Sequence, residues 1–175
     1  MIVFGEKNSF AVIIEITKID KLKKAAWGGF ELWVNSRRFG DLSYDDLITG
    51  NNYWMIEKIF NQHFPALPSE IELVTESEIL KTIHQGYYGE SVLPVDLKKS
   101  FYESVFWGKY IILPNNNMPF DHYEMIFFEK SDQEVKFIYA DLNEGINETG
   151  YCVMDKSIVI NVCKEFLDYY AQLFV

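Results

Sequence analysis

The chain has 175 residues, a length typical of one domain, and 49% of them are hydrophobic, which suffices for a sizeable core. Its 26 acidic and 16 basic residues give a formal net charge of −10, which disfavours binding to nucleic acid or anionic membranes and favours basic proteins. The longest apolar stretches, such as Ala11–Ile14 and Ile158–Val162, are too short to span a bilayer, and no signal-peptide core begins the chain. We therefore expect a cytoplasmic protein.

The N-terminal third is predicted to form an antiparallel meander. Apolar residues alternate along Phe10–Thr17 and again along Gly29–Asn35, as in strands that turn one face to a core. Asn35 and Ser36 favour a tight turn, after which Arg38–Asp41 would return as a short third strand.

The central section changes to a helical apolar period. A short helix is expected to begin with a cap at Ser43 or Asp45. A second helix is predicted over Tyr53–His63, and a third within Glu76–Tyr87 that ends at Gly86. We therefore place a helical section between two groups of strands.

The C-terminal half returns to strands and then ends in a helix. The predicted strands are Lys109–Leu113, the hairpin arms Tyr123–Lys130 and Glu134–Leu142, and Gly150–Met154. A final helix, capped by Asp155 or Ser157, would run towards Leu173. This order predicts a single α+β domain over residues 1–175, with a mostly antiparallel sheet, a central helical section and a C-terminal helix.

Residues that could carry catalysis are scarce. His63, His84 and His122 lack metal-ligand spacing, and the chain has no phosphate loop or nucleophile elbow. Cys152 and Cys163 form no CxxC motif, so we expect both to be buried, one in a strand and one in a helix. We predict no cofactor, metal or catalytic residue. The alternative is a small cytoplasmic hydrolase that assembles carboxylates and a histidine from distant positions.

The negative charge concentrates in residues 121–148, which hold 8 acidic and 2 basic residues, a net charge of −6. The acidic residues are Asp121, Glu124, Glu129, Asp132, Glu134, Asp141, Glu144 and Glu148, and the basic ones are Lys130 and Lys136. Ordinary solvation of a hairpin and loop explains any one of these acids. Their clustering indicates a surface that would steer a basic protein towards it.

The N-terminal residues also resemble a known family. A Met-Ile-x-Phe-Gly start is followed by Asn8–Ala11 entering a strand, by Trp27–Asn35, and by Phe39-Gly40-Asp41. This order resembles the immunity protein 42 family, cognate immunity proteins of bacterial polymorphic toxin and contact-dependent growth inhibition systems. The match is close over roughly the first quarter of the chain, with Ser36 where a glycine is expected.

The resemblance implies a protein that binds and neutralises the C-terminal domain of a toxin and has no catalysis of its own. The shared residues look architectural, with the two tryptophans anchoring the sheet and the Gly-Asp pair ending a strand: Trp27, Gly29, Trp33, Asn35, Gly40 and Asp41. Because immunity proteins match partners that vary, the recognition surface should lie elsewhere. Our candidate toxin-binding residues are Glu129, Asp132, Glu134, Asp141, Glu144 and Glu148.

The implied mechanism is occlusion. Many such toxins, nucleases among them, have clefts that bind polyanions and are therefore basic. An acidic protein would be attracted to such a toxin and would cover its active site or an adjacent exosite. An acidic adaptor for another basic protein has the same physical features and is the second alternative to an immunity protein.

Overall fold

The structure, a computed structural model, describes residues 1–61, 64–72, 74–88, 105–113, 120, 122–143 and 149–175. Within these ranges lie two four-stranded sheets, each a meander in which successive strands are neighbours. The chain divides into two compact units. Unit 1 comprises Met1–His63, Asn116–Asp121 and Met154–Val175, and unit 2 comprises Phe64–Asn115 and His122–Val153. The predicted α+β class with antiparallel sheets is confirmed.

The described elements agree with most of the predicted ones. The strands are β1 (Ile2–Gly5), β2 (Phe10–Asp20), β3 (Ala25–Val34), β4 (Arg37–Leu47), β5 (Ile111–Leu113), β6 (Tyr123–Glu129), β7 (Glu134–Asp141) and β8 (Thr149–Asp155). The helices are α1 (Tyr53–Phe60), α2 (Ser69–Glu72), α3 (Glu76–Tyr88) and α4 (Lys156–Gln172), with a π-helical segment at Ile48–Asn52 and a 3₁₀ turn at Trp107–Lys109.

The predicted turn between β3 and β4 is confirmed. Val34 pairs with Arg37, and the two residues between them, Asn35 and Ser36, have φ angles of 50° and 67°. Positive φ at both central positions is the geometry of a two-residue hairpin whose twist matches that of its strands. Asparagine tolerates this conformation well, which is why the pair could be recognised in the sequence.

The predicted helix with a cap at Ser43 or Asp45 was wrong. Strand β4 continues to Leu47, which pairs with Trp27 across a register shift in β3. The Ser43 N–H donates to Asp41 Oδ1 at 2.8 Å, so the expected capping chemistry is used inside an irregular strand. Pairing with a long neighbouring strand outweighed the local helical signals. Helical structure begins only after Leu47.

Helix α4 covers one face of the unit 1 sheet. The Phe166 ring lies edge-on to Phe4 and Phe30, with ring centroids 5.8 Å and 6.1 Å apart. The helix begins as predicted, since Asp155 Oδ1 accepts a hydrogen bond of 2.7 Å from Ser157 N–H. The predicted apolar stripe is buried at Val159, Val162, Cys163, Phe166 and Tyr170.

Helix α3 covers one face of the unit 2 sheet. It begins with a capping box in which Thr75 Oγ1 accepts from Glu78 N–H at 3.3 Å and Glu78 Oε2 accepts from Thr75 N–H at 3.0 Å. The predicted end at Gly86 was wrong, because the helix continues to Tyr88. The core beneath it contains Ile79, Leu80, Ile83, Trp107, Tyr110, Ile126, Phe128 and Ile138.

Candidate functional site

The turn between β6 and β7 carries the exposed part of the acidic stretch. Asp132 and Glu134 are both exposed there. The Lys130 N–H donates to the Glu134 carbonyl oxygen at 3.0 Å, and the Glu134 N–H donates to Ser131 Oγ at 3.1 Å. Two carboxylates are therefore presented on a short turn that hydrogen bonds hold closed.

Two other predicted binding residues lie further along the hairpin. Glu129 is half-buried at the end of β6, next to the turn. Asp141 ends β7, seven residues beyond Glu134, and its Oδ1 accepts a hydrogen bond of 3.0 Å from Asn143 N–H. Seven residues of strand span about 23 Å, so Asp141 lies far from the turn.

The predicted binding residues thus separate into groups. Glu129, Asp132 and Glu134 gather at the turn, and Asp141 lies at the opposite end of the hairpin. Glu144 and Glu148 lie outside the described residues, as does Asp121 of the same acidic stretch.

Glu124, another member of the acidic stretch, does not belong to the surface. Its side chain is fully buried on β6, and its Oε2 is hydrogen-bonded to Nδ1 of His84 on α3. Its Oε1 is buried without a hydrogen-bond partner in the described part of the chain. The alternation of side chains along β6 could have predicted this burial, because Glu124 shares a face with the apolar Ile126 and Phe128.

A groove of about 490 Å³ opens beside the acidic turn. An ion pair crosses it, because Lys136 Nζ donates to Glu76 Oε1 at 2.6 Å. This hydrogen bond holds the pKa of the Glu76 carboxyl below its usual value. Apolar and charged side chains both line the groove: Ala66, Leu67, Val74, Glu76, Ile79, Phe128, Glu129, Lys130 and Lys136.

The residues that carried the family resemblance all lie in unit 1. Trp27 and Trp33 are half-buried on β3, and each ring has a lysine ammonium near it, Lys18 at 4.9 Å and Lys7 at 4.4 Å. Trp33 Nε1 also donates to Glu31 at 2.9 Å. Every one of these contacts lies within unit 1, which is compatible with an architectural role.

The two glycines of this motif lie where backbones approach closely. A Cβ on Gly29 would overlap the Leu42 backbone, and one on Gly40, whose φ is +88°, would lie 2.7 Å from the Phe120 ring. Asp41 follows within β4, and its hydrogen bond from the Ser43 N–H lowers the pKa of its carboxyl. The expectation that Gly40 and Asp41 end the strand was wrong, since β4 continues to Leu47.

Both cysteines are buried and free, as predicted. Burial raises the pKa of the Cys152 thiol to about 11 and raises that of Cys163 further, which keeps both thiols protonated and unreactive at neutral pH. Among the described residues, no group of three or more His, Cys, Asp or Glu side chains could hold a metal ion. Within the same ranges, no helix is long and apolar enough to cross a membrane.

A family model for immunity protein 42 matches residues 1–169. The chain belongs to the immunity protein 42 family. The resemblance identified in the first quarter of the sequence is therefore confirmed, and the match extends through unit 2 and most of α4.

A solved structure supports the fold of this family member. The chain is similar to the crystal structure of CdiI from Burkholderia dolosa AUO158, with a TM-score of 0.64 and 13% sequence identity. The similarity covers 96% of this chain and 99% of that one. At this sequence identity, the similarity shows a shared fold and nothing more. None of the curated proteins matches the chain.

Proposed function

We propose that this chain is an immunity protein that binds the C-terminal domain of a cognate bacterial toxin in the cytoplasm and neutralises it without catalysis of its own. The family match over residues 1–169 carries this proposal. Because the match spans both units, it also supports the prediction that residues 1–175 act as a single immunity domain.

The proposed mechanism is occlusion by an acidic surface. Unit 2 contains 14 acidic and 6 basic residues, a net charge of −8, whereas unit 1 contains 12 and 10, a net charge of −2. A toxin with a basic cleft, such as a nuclease, would be attracted to unit 2. Asp132 and Glu134, with Glu129 beside them, would cover its active site or an adjacent exosite. Asp141 lies at the other end of the hairpin, and Glu144 and Glu148 lie outside the described residues, so these three stay predicted binding residues apart from the turn.

The test is binding to the toxin domain encoded immediately upstream of this chain's gene, measured at low and high salt. We expect tight binding that weakens as salt rises, since the surface charges are screened. In the variant Asp132→Lys/Glu134→Lys, the association rate at low salt should fall about tenfold or more. The matched control is Glu15→Lys/Glu165→Lys, which changes net charge equally at exposed positions of unit 1.

The possible results distinguish the immunity role of the chain from the position of its toxin interface. Unchanged association in the Asp132→Lys/Glu134→Lys variant would move the interface away from the turn but leave the immunity role. If the wild-type chain did not bind the upstream toxin and did not protect cells that express it, the immunity role itself would be wrong. An acidic adaptor for another basic protein would then be the favoured alternative.

The hydrolase alternative has one observation in its favour, the His84–Glu124 pair. A carboxylate bound to one imidazole nitrogen orients the ring, as in catalytic dyads and triads. The pair lies between α3 and β6, and the toxin-protection assay decides its role. A His84→Gln variant that stays folded and binds the toxin but loses protection would favour catalysis. Full protection would favour simple binding.

A further inference from the structure

Three large aromatic side chains are exposed together on unit 2, at the C-terminal end of α3 and in the segment after Val105. Phe106 is 76% exposed, Tyr87 44% and Tyr88 38%. We call Tyr87, Tyr88 and Phe106 the aromatic cluster. Adjacent exposed aromatics of this size mark binding surfaces more often than ordinary surface.

A buried tryptophan fixes the position of the cluster. Trp107 lies against α3 at Gly86, where a Cβ would overlap the indole ring. The 3₁₀ turn that follows is closed by the Lys109 N–H donating to the Phe106 carbonyl oxygen at 3.3 Å. Trp107 is held in the core, while the neighbouring Phe106 lies at the surface. The glycine in α3 thus serves this close contact and does not end the helix.

The rings of the cluster are arranged before any partner binds. A Cβ placed on Gly108 would lie 3.3 Å from both the Phe106 and the Tyr87 rings, so both rings lie over Gly108. The Tyr87 and Tyr88 rings are nearly perpendicular, at 81°, with centroids 4.9 Å apart. Such a prearranged surface loses little side-chain entropy when it is covered.

The cluster also touches a buried hydrogen-bonded pair of side chains. The Tyr88 ring centroid is 4.7 Å from that of His84, whose Nδ1 is hydrogen-bonded to the fully buried carboxyl group of Glu124. The nearby Lys109 ammonium lies 4.9 Å from the centroid of the buried Tyr110 ring. Aromatic faces attract cations, as the Lys109–Tyr110 contact shows beside the cluster.

We propose that the aromatic cluster is the anchor of the toxin interface and that it receives a lysine or arginine side chain of the toxin. This inference rests on the proposed immunity function. Charge complementarity identifies the occupant, since unit 2 has a net charge of −8 and the cluster offers exposed ring faces to a cation. The acidic turn then accelerates association, and the aromatic cluster sets the lifetime of the complex.

The test compares exposed aromatic residues in the full-length chain. Phe106→Ala/Tyr87→Ala should weaken toxin binding about 30-fold or more, mainly through faster dissociation. The control Tyr44→Ala, at a 47% exposed tyrosine on β4, should change affinity less than about threefold. Circular dichroism and urea unfolding should be nearly unchanged in both variants, because the replaced rings are exposed.

A second variant tests the cationic occupant. Phe106→Leu keeps an apolar side chain but removes the ring face, so binding should fall nearly as far as in the single variant Phe106→Ala, which is measured beside it. If leucine restored binding, the occupant would be apolar and the proposal would be wrong in that respect. Wild-type-like toxin binding by Phe106→Ala/Tyr87→Ala would overturn the proposed anchor. The proposal would also be wrong if these substitutions changed only the association of the chain with itself and left toxin binding intact. Failure of the wild-type chain to bind the toxin would instead overturn the proposed function.

Discussion

The two compact units of this chain differ in charge and in how each holds its buried acid. Unit 1 has a net charge of −2 and unit 2 of −8. In unit 1 the buried Glu31 is held by Trp33 Nε1 at 2.9 Å and by Arg38 at 3.6 Å. In unit 2 the buried Glu124 bonds to His84, and its other carboxyl oxygen has no described partner. Among the described residues, the buried acid of unit 1 is therefore more fully hydrogen-bonded than that of unit 2.

This difference separates what identifies the family from what we propose to bind the toxin. The motif that carried the resemblance, from Trp27 to Asp41, lies entirely in unit 1 and is occupied by contacts within it. The acidic turn, the groove and the aromatic cluster lie in unit 2. A scaffold whose contacts are internal can stay the same while another surface is adapted to a new partner.

The largest expected effect tests unit 1 as a scaffold. Gly29→Ala should lower the free energy of unfolding by about 3 kcal/mol or more, because the added methyl group would overlap the Leu42 backbone, which no side-chain rotation can relieve. Urea unfolding followed by circular dichroism measures this. The control is Gly50→Ala, where an added Cβ would lie 3.7 Å from the Leu47 side chain, an ordinary contact.

One result would contradict the interpretation of unit 1 as a scaffold. Equal stability of the Gly29→Ala and Gly50→Ala variants would show that the close approach in β3 is not needed. The shared glycine would then require a reason other than architecture, and a direct role of unit 1 in toxin binding would become the better explanation.

The sequence predicted the regular parts of both units because local chemistry and tertiary pairing agree there. Alternating apolar residues located β2, β6 and β7, and Asp155 located the start of α4. The predictions were wrong where a contact with a residue distant in the sequence determines the local structure. Strand pairing extended β4 through Ser43 and Asp45, and the Trp107 indole explains Gly86 better than a helix end does.

The candidate site was predictable in its charge but not in its geometry. Residue counts located the acidic stretch, and the exposed turn at Asp132 and Glu134 followed from the hairpin pattern. Alternation along β6 could have shown that Glu124 points inward, but no local pattern could have paired it with His84, 40 positions earlier. The aromatic cluster was missed for the same reason, since Trp107 and Gly86 create it from distant positions.

The second prediction tests how much the buried Glu124 depends on its one described partner, in contrast to Glu31 of unit 1, which has two. His84→Ala should lower the free energy of unfolding of the chain by about 3 kcal/mol at neutral pH, because it leaves the buried Glu124 carboxylate without its partner. The double variant His84→Ala/Glu124→Gln should recover at least half of this loss, since the buried charge is then absent. Equilibrium urea unfolding of the wild type, of the single variants His84→Ala and Glu124→Gln, and of the double variant gives the coupling between the two side chains. Additive losses would mean that the pair carries no charge interaction.

The smallest expected effect compares one ion pair from each unit. In unit 2 the hydrogen bond from Lys136 lowers the pKa of Glu76, so this carboxyl stabilises the folded chain above its unfolded pKa, near 4.5, and the contribution disappears as pH falls through the lower folded pKa. Lys136→Met should therefore cost about 1 kcal/mol at pH 7 and less as the solution is acidified towards pH 3.

The matched change in unit 1 is Lys164→Met, which removes the exposed pair with Asp168, joined at 2.7 Å along α4. We expect no measurable change in urea unfolding at either pH, because water and salt screen both charges. Lys136 differs because its side chain is 12% exposed and its ammonium also lies 4.6 Å from the Tyr151 ring centroid. If both variants lost equal stability, or if the Lys136→Met loss did not shrink in acid, the charge network of unit 2 would be ordinary surface charge. The contrast between the units would then reduce to their net charges.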